Sequence, residues 1–348
     1  QIPPSRVTPQ VQAPAPGGHP RLSYPAMNRP IAPIPPGALD LSGPAAALRR
    51  RLQRQAAAIL EQAGYQELLP PTFEYEEVFL RAGGPEVADR LIRFTDRDGR
   101  ILALRYDFTA SLARVAATTL QDAPRPLRLC YSGKVFRQEP DRGGRPREIL
   151  QAGAELLGQG DLAADVEIVR HTLALAQALG LRDFQLNLGH VGVLAPGLSA
   201  LEEDTRLAVR HWIDRKDRGS LTRALADAPV EARALRELAF VIGRRDALQA
   251  IGPAASAAVR PGLEHLLGLD RQLTDAERSH VVYDLGEVRG LEYYTGIHFE
   301  LFVAGAGRAA GAGGRYDELM GRFGVTMPAV GVSLDLDTIA EALGGAES

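Results

Sequence analysis

The sequence predicts an α+β fold, in which an antiparallel sheet is flanked by helices and interrupted once by a helical module. Short apolar runs of strand length occur in the first 190 residues and return after residue 280. Between residues 191 and 279 glycine thins out, and alanine and leucine recur at helical spacing. This order indicates a core built from residues 38–190 and 280–348, with a helical insertion at 191–279.

The first elements are predicted from composition and helix-end signals. Residues 1–37 are dense in proline and lack hydrophobic periodicity, which predicts a flexible tail. Asp40 and Ser42 can cap a helix whose apolar face continues until Gly64. A short strand, Tyr65–Leu69, is expected next, and the two prolines after it end the strand.

The later elements follow from alternating apolar patterns, turn signals and caps. An Asp-Gly turn at 98–99 joins two strands into a hairpin, and Asp161 can cap a long helix that reaches Leu179. The final strand and helix are expected between Ala329 and Leu343, whereas the glycine-rich stretch 305–314 receives no element. The other predicted strands and helix are Leu91–Phe94, Ile101–Leu104, Ala110–Leu120, Leu127–Gln138, Glu148–Leu157, Phe184–Leu188, Val281–Leu285, Glu292–Tyr294 and His298–Val303.

Composition indicates a soluble globular protein with no strong attraction to nucleic acid. Of 348 residues, 45% are hydrophobic and 24% charged, and the net charge is −3. A nucleic-acid-binding protein usually carries a basic surplus, so this balance argues against tRNA binding. The single cysteine, Cys130, cannot form an internal disulfide, which favours a reducing compartment. With no apolar run of about 20 residues and no secretory pattern, we expect a cytoplasmic protein away from membranes.

The common catalytic and cofactor patterns are missing from the sequence. Seven histidines are scattered without an i,i+4 pair, so no zinc site is predicted. Neither a phosphate-binding P-loop nor a dinucleotide fingerprint occurs, and Cys130 lies in a strand pattern typical of a core residue. The glycines at 311–314 could simply permit a tight bend. We therefore expect no metal and no cofactor.

One strand–loop–strand region carries polar residues in a pattern that indicates a binding site. In the second strand Gln151, Gly153 and Glu155 share one face, because strand side chains alternate between faces. Two polar side chains separated by glycine form a floor that can hydrogen-bond a ligand. Arg137 on the neighbouring strand could hold an anion in a bidentate manner. The alternative is an exposed strand face beside a solvated arginine loop, which the residues alone leave open.

This region resembles motif 2 of the class II aminoacyl-tRNA synthetases, in its histidine-specific form. Phe-Arg-x-Glu at 136–139 precedes an arginine loop and Gln-x-Gly-x-Glu at 151–155. The segment 104–109 resembles the one that binds the amino acid's α-amino group. Arg-Gly-Leu-Glu-Tyr-Tyr-Thr-Gly at 289–296 and Ala-Gly-Gly-Arg-Tyr-Asp at 312–317 resemble the two histidine-specific signatures.

The resemblance extends over residues 38–345 and implies both a class II fold and a dimer. The helix that ends at Gly64 and the strand after it are similar to motif 1, which builds the homodimer interface in that class. It also implies an intact histidine pocket. The implied histidine-binding residues are Asp107, Thr109, Arg137, Gln151, Glu155, Arg289, Tyr293, Tyr294 and Tyr316.

The roles of these residues are those implied by the family. Asp107 and Thr109 would meet the α-amino group, although the synthetases carry glutamate in the place of this aspartate. Glu155 would accept a hydrogen bond from an imidazole N–H, a contact that rejects apolar side chains of similar shape. Tyr294 and Tyr316 would close the ring pocket. Gln151 would lie along the bound amino acid, and both Arg137 and Arg289 would face its carboxylate.

Two departures from the synthetase pattern argue against amino-acid activation. In the stretch that resembles motif 3, Thr338 stands where the synthetases have the arginine that clamps ATP, and Asp335 replaces a glycine. Losing one such cationic contact typically lowers a rate by about 10²–10³. The sequence also continues for only ten residues after Thr338, so we expect no anticodon-binding domain.

A retained amino-acid pocket beside a weakened nucleotide site resembles the synthetase-like regulatory subunits of ATP phosphoribosyltransferase. The segments 108–114 and 144–153 are similar to that subfamily. The resemblance implies a hetero-octamer with the short-form catalytic subunit, L-histidine as the feedback effector, no tRNA partner and no catalysis by this chain. Two alternatives stay open: a truncated synthetase paralogue that adenylates histidine, supported by Arg137, Arg147 and Arg289, and a structural dimerisation partner with a vestigial pocket.

Overall fold

The computed structural model describes residues 34–138, 146–252, 255–288 and 293–345. The chain divides into two units, residues 1–35 and 36–348, and every element named here belongs to the second unit. The strands are β1 (Gln66–Glu67), β2 (Phe73–Tyr75), β3 (Arg93–Thr95), β4 (Ile101–Leu104), β5 (Leu127–Phe136), β6 (Glu148–Leu157), β7 (Phe184–His190), β8 (Ile242–Gly243), β9 (Val281–Asp284), β10 (Ile297–Val303), β11 (Gly311–Arg315) and β12 (Ala329–Asp335).

The helices fall into two groups along the chain. Those outside the 191–279 stretch are α1 (Gly43–Gln62), α2 (Glu76–Gly83), α3 (Pro85–Ala88), α4 (Phe108–Ala117), α5 (Leu162–Ala178), α14 (Asp317–Arg322) and α15 (Leu336–Gly345). Those within it are α6 (Val191–Ser199), α7 (Glu203–Asp214), α8 (Arg218–Ala224), α9 (Val230–Arg233), α10 (Leu235–Leu238), α11 (Arg245–Ile251), α12 (Arg260–Gln272) and α13 (Asp275–Arg278).

A nine-stranded sheet forms the centre of the molecule, in the order β1-β5-β6-β12-β11-β10-β7-β9-β8. All neighbouring pairs are antiparallel except β1 with β5 and β7 with β9, which are parallel. A second sheet of three strands has the order β2-β4-β3. This architecture of sheets and flanking helices confirms the predicted α+β class.

The main core lies where helices cover one face of the large sheet. Leu52 and Leu60 of α1 and Ile168 of α5 are fully buried against sheet residues such as Leu156 and Leu188. Their spacing on α1 puts them on one helical face, as the apolar pattern predicts. A second cluster is centred on α2 and α4 beneath the small sheet.

The stretch between β7 and β9 is helical, and it contacts the sheet at one edge. Its short strand β8 pairs with β9 and extends the large sheet. Lys216, after α7, has φ +52° and donates to Asp284 Oδ1 and to the Gly286 carbonyl, both at 3.2 Å. Trp212, the single tryptophan of the sequence, is half-buried on α7 against the core.

Several predicted elements are confirmed, because their end signals act as expected. Asp161 caps α5 by accepting from the Ala164 N–H at 3.2 Å, and Gly99 in the β3–β4 turn has φ +83°. At α1, Ser42 occupies the N-cap position without a side-chain cap bond, so the predicted capping by Asp40 and Ser42 is not made by that hydroxyl.

One prediction is wrong around the signature segments. Tyr293 lies in a turn and Tyr294 directly after it, not in the predicted strand, whose other residue, Glu292, is outside the described residues. A strand for which no prediction was made, β11, begins in the glycine-rich stretch 305–314, although four of its five residues are small. β11 is held by ladders on both sides, from β10 and β12, which compensates for its low strand propensity. Among the described helices, none is long and apolar enough to cross a bilayer.

Candidate histidine-binding cavity

A cavity of about 300 Å³ opens over the middle of the large sheet. Its volume is at the lower end of the range for small-molecule sites. Eight of the nine residues implied by the family resemblance line it; the ninth, Arg289, lies outside the described residues, as do the loop arginines Arg142 and Arg145. The eight are Asp107, Thr109, Arg137, Gln151, Glu155, Tyr293, Tyr294 and Tyr316.

Glycines form the floor of the cavity. Because they have no side chain, they leave room for the large side chains of the neighbouring strands. Gly331 of β12 is the register partner of Glu155 on β6, and a Cβ on Gly331 would lie 1.6 Å from Glu155 Oε2. A Cβ on Gly153 would lie 2.3 Å from the Val332 carbonyl and 2.4 Å from the Tyr131 hydroxyl. Glycine is therefore required at both positions for the floor to form.

Glu155 is a buried carboxylate at the deep end of the cavity, with only 1% of its surface exposed. Thr109 Oγ1 donates to its Oε1 at 2.8 Å, and the Tyr316 hydroxyl donates to its Oε2. Burial raises the pKa of Glu155 to about 8, although these two hydrogen bonds oppose the rise. The buried group therefore holds a proton more tightly than an exposed glutamate does.

Three tyrosines surround that carboxylate. Tyr293 stacks on Tyr316 with ring centroids 5.4 Å apart and meets Tyr294 edge-on at 5.2 Å. Burial is the main cause that raises the pKa of all three, so they remain protonated. Behind them His298 is stacked 6.1 Å from Tyr294, and burial lowers its pKa to about 4. A flat ring with N–H groups fits such a pocket, because aromatic walls and a buried acceptor both recognise it.

The other end of the cavity carries opposite charges on adjacent elements. Asp107 is the N-cap of α4, where it accepts from the Ala110 N–H at 2.8 Å. Burial raises the pKa of Asp107, although the hydrogen bond from Ala110 and the positive charge of Arg137 both act to lower it. The Arg137 guanidinium lies 4.9 Å from the Tyr106 ring centroid, and its Nε donates to the Tyr106 carbonyl at 3.3 Å. This pairing of a carboxylate and a guanidinium can receive an ammonium and a carboxylate.

The part of the cavity towards α15 carries Asp335, whose Oδ2 lies 3.6 Å from Arg308 Nε. Asp335 lines it and caps α15 by accepting from the Thr338 N–H at 2.9 Å. Thr338 is buried, with 1% of its surface exposed, and it is not among the residues that line the cavity. Of the described residues that line the cavity, Arg137 is the cation, beside the carboxylates of Asp107, Glu155 and Asp335.

Sequence reasoning missed two polar lining residues, Tyr131 and Ser333. Tyr131 on β5 is the register partner of Gly153 on β6, so pairing the two strands predicted on either side of the arginine loop could have located it. Ser333 on β12 sits opposite Gly153 on the other side. Its position depends on a long-range pairing for which the sequence carries no local signal.

Comparison with known proteins shows the family to which the chain belongs. The family model described as histidyl-tRNA synthetase matches residues 37–339. A relative from Moorella thermoacetica named ATP phosphoribosyltransferase regulatory subunit is 40% identical over 92% of this chain and 84% of its own length. Another of that name from Geobacter sulfurreducens is 36% identical over 90% of this chain and 73% of its own length.

A solved structure of a similarly named protein has the same fold. The ATP phosphoribosyltransferase regulatory subunit/histidyl-tRNA synthetase from Bacillus halodurans superposes with a TM-score of 0.82 at 28% identity, over 90% of this chain and 84% of that chain. The fold is that of the class II histidyl-tRNA synthetase family. The chain belongs to this family and, within it, to the ATP phosphoribosyltransferase regulatory subunits.

Proposed function

We propose that this chain is a non-catalytic subunit that binds L-histidine and regulates a short-form ATP phosphoribosyltransferase catalytic subunit, which carries out the first step of histidine biosynthesis. The observation that carries the proposal is the contrast within one cavity. Its deep end has Glu155 among three tyrosines, whereas at the end towards α15 the Asp335 carboxylate is paired with Arg308 at 3.6 Å and α15 adds no cation. The names of the relatives support the same function.

In this proposal each end of the cavity receives one part of histidine. Asp107 and Thr109 take the ammonium group, Arg137 and Arg289 take the carboxylate, and Gln151 lies along the amino acid. Glu155 accepts from an imidazole N–H, with Tyr293, Tyr294 and Tyr316 around the ring. A buried acceptor gives strong selectivity, because an apolar ligand would leave it without a partner.

The weakened nucleotide end argues for binding without turnover. A triphosphate needs cationic contacts, and Asp335 would add a negative charge near it. Feedback regulation then requires that histidine bind two states of the assembly with different affinity. We propose a hetero-octamer with the catalytic subunit, located in the cytoplasm and with no tRNA partner.

We further propose that the chain forms a homodimer through α1 and β1. Apolar side chains around these elements support this, since Leu39 and Leu69 are 67% and 76% exposed. In the same proposal residues 38–190 and 280–348 form one synthetase-like core, residues 191–279 are inserted into it, and residues 1–37 are a tail.

The decisive experiment is calorimetric titration with L-histidine, followed by an ATP–pyrophosphate exchange assay. We expect micromolar-range binding and no histidine-dependent exchange. Robust exchange would instead favour the synthetase paralogue, for which Arg137 in the cavity is the supporting observation. An absence of histidine binding would favour the vestigial pocket. Co-purification with a short-form catalytic subunit, assayed with and without histidine, then tests the regulatory role.

A further inference from the structure

A buried ion pair adjoins the ring end of the cavity. Arg315 is the last residue of β11 and directly precedes Tyr316. Its Nε and Nη2 donate to Asp165 Oδ1 of α5 at 3.0 and 2.7 Å. The two residues are 5% and 0% exposed. A buried guanidinium with a buried carboxylate holds a fixed geometry, because either charge alone would be costly in this environment.

The second oxygen of the same carboxylate reaches the helical insertion. Asp165 Oδ2 lies 2.7 Å from His265 Nε2, on α12. The His265 side chain is 28% exposed, so this end of the chain of contacts is close to the surface. The Asp165 carboxylate therefore connects β11, which lines the cavity, with α12 of the helical insertion.

Arg315 also fixes the backbone on both sides of Tyr316. Its Nη1 donates to Asp317 Oδ1 at 3.1 Å, and that oxygen accepts from the Ala329 N–H at 2.9 Å. The Arg315 carbonyl accepts from the Thr295 N–H at 2.7 Å, next to Tyr294. The Arg315 side chain packs so closely on Gly296 that a Cβ there would lie 2.9 Å from its Cδ. Arg315 therefore contacts both the segment that carries Tyr294 and the segment that carries Tyr316.

We infer that Arg315 is a positioning residue for the ring end of the cavity, and that Asp165 and His265 connect it to the helical insertion, which thereby sets the affinity for histidine. The inference rests on the proposed histidine binding. Without His265, the Asp165 carboxylate loses one of its two side-chain partners and can turn away from Arg315. Tyr316 would then place its hydroxyl less accurately on Glu155, the ring acceptor.

The test is the dissociation constant for L-histidine of the full chain, measured by calorimetry. His265→Ala is expected to raise it about 5- to 20-fold, within the usual range of coupling between distant groups. His265→Gln can still place an amide N–H near the position of Nε2, so it should stay within about twofold of the wild type. If His265→Ala does not fold, His265→Asn replaces it, because its shorter amide cannot reach Asp165.

A matched control and a second background separate positioning from general destabilisation. His171 on α5 is 22% exposed and faces Glu167, which does not lead to the cavity. His171→Ala should therefore leave the dissociation constant within about twofold of the wild type. In a Tyr316→Phe background, which lacks the hydroxyl–Glu155 bond, the His265→Ala effect should shrink to less than about twofold, since the two changes act through the same bond.

Several outcomes would overturn the inference. If His265→Ala left histidine binding unchanged in a wild-type background that binds, the insertion would not set the affinity. If its effect persisted unchanged with Tyr316→Phe, or His171→Ala had an equal effect, the residue would be structural only. A wild-type chain that takes up no histidine would overturn the proposed function itself, and this inference with it.

Discussion

Glu155 concentrates the chemistry of the site in one side chain. It lies under a glycine floor, receives two hydroxyl hydrogen bonds, and is excluded from water. The same burial that makes it a selective acceptor raises its pKa to about 8. The burial that gives Glu155 its selectivity for a hydrogen-bond donor therefore also makes the stability of the chain depend on pH. Between the unfolded and folded pKa values, the Glu155 proton is bound in the folded chain and released on unfolding.

Glu155→Gln tests this linkage through the pH dependence of stability. The pKa of Glu155 rises from about 4.5 to about 8 in the folded chain. Its favourable contribution is therefore complete below about pH 4.5 and is lost as the pH rises towards 8. Relative to Glu155→Gln, the wild type should lose up to a few kcal/mol of unfolding free energy across this window. Urea unfolding of both proteins at a series of pH values measures the difference, and a flat difference curve would contradict the assigned burial effect.

Gly331→Ala tests the close approach of β12 to Glu155. The added Cβ would meet Glu155 Oε2 at 1.6 Å and the Ala154 carbonyl at 2.8 Å. We expect a loss of about 1–3 kcal/mol in stability and at least a tenfold loss in histidine affinity. Gly307→Ala is the control, because no atom lies within 4 Å of its Cβ position. Equal effects of the two substitutions, by thermal unfolding and calorimetry, would show that the floor tolerates a methyl group.

At the scale of elements, the pocket depends on where helices begin and strands pair. Asp107 and Asp335 each cap a helix and line the cavity, so the start of α4 and the start of α15 define its two sides. The Asp335 carboxylate thus contributes a negative charge to the cavity lining and a cap to the last helix.

Replacing Asp335 separates these two effects. Asp335→Ala removes the cap of α15 and should lower the unfolding free energy by about 1 kcal/mol. Asp335→Asn keeps a side-chain oxygen at the cap and should stay within about 0.3 kcal/mol of the wild type. Denaturant unfolding compares the two, and an equal loss in both would mean that the charge, and not the cap, stabilises the helix.

Much of the fold was predictable where local signals and tertiary pairing agree. The β5–β6 hairpin and α5 follow from alternation and from the Asp161 cap, and the shared face of Gln151 and Glu155 follows from strand geometry alone. β11 was not predictable, since its glycines disfavour a strand and only its two neighbours impose one. The three tyrosines that surround Glu155 are more than 130 residues from it in the sequence and meet it only in the folded chain. Their position was therefore predicted from the family resemblance and not from a local pattern.

At the scale of the whole molecule, the helical stretch 191–279 contacts the strands and α5 at separate points. One is the His265–Asp165–Arg315 chain of contacts. Another is Lys216, which adopts a left-handed backbone conformation and reaches Asp284 at the end of β9. Asp284 is 8% exposed, so its negative charge depends on that partner and on the Gly286 N–H.

Lys216→Met tests how much this second attachment stabilises the chain. We expect a loss of roughly 1–2 kcal/mol, reduced from the value for a fully buried pair because the Lys216 side chain is 38% exposed. The other lysine, Lys134, forms an exposed pair with Glu148, and Lys134→Met should cost less than about 0.5 kcal/mol. Urea denaturation of both variants provides the comparison. Similar losses of unfolding free energy would show that the Lys216–Asp284 pair stabilises the chain no more than an exposed pair does.

The position of Trp212 gives the molecule two spectroscopically separate regions. The indole is on α7 in the helical stretch 191–279, whereas the aromatic residues lining the cavity are tyrosines and a phenylalanine. Selective excitation of the indole therefore reports on this helical stretch, and tyrosine emission includes the pocket. A change in indole emission on adding ligand would record the response of the helical stretch directly, without a label and without altering a residue.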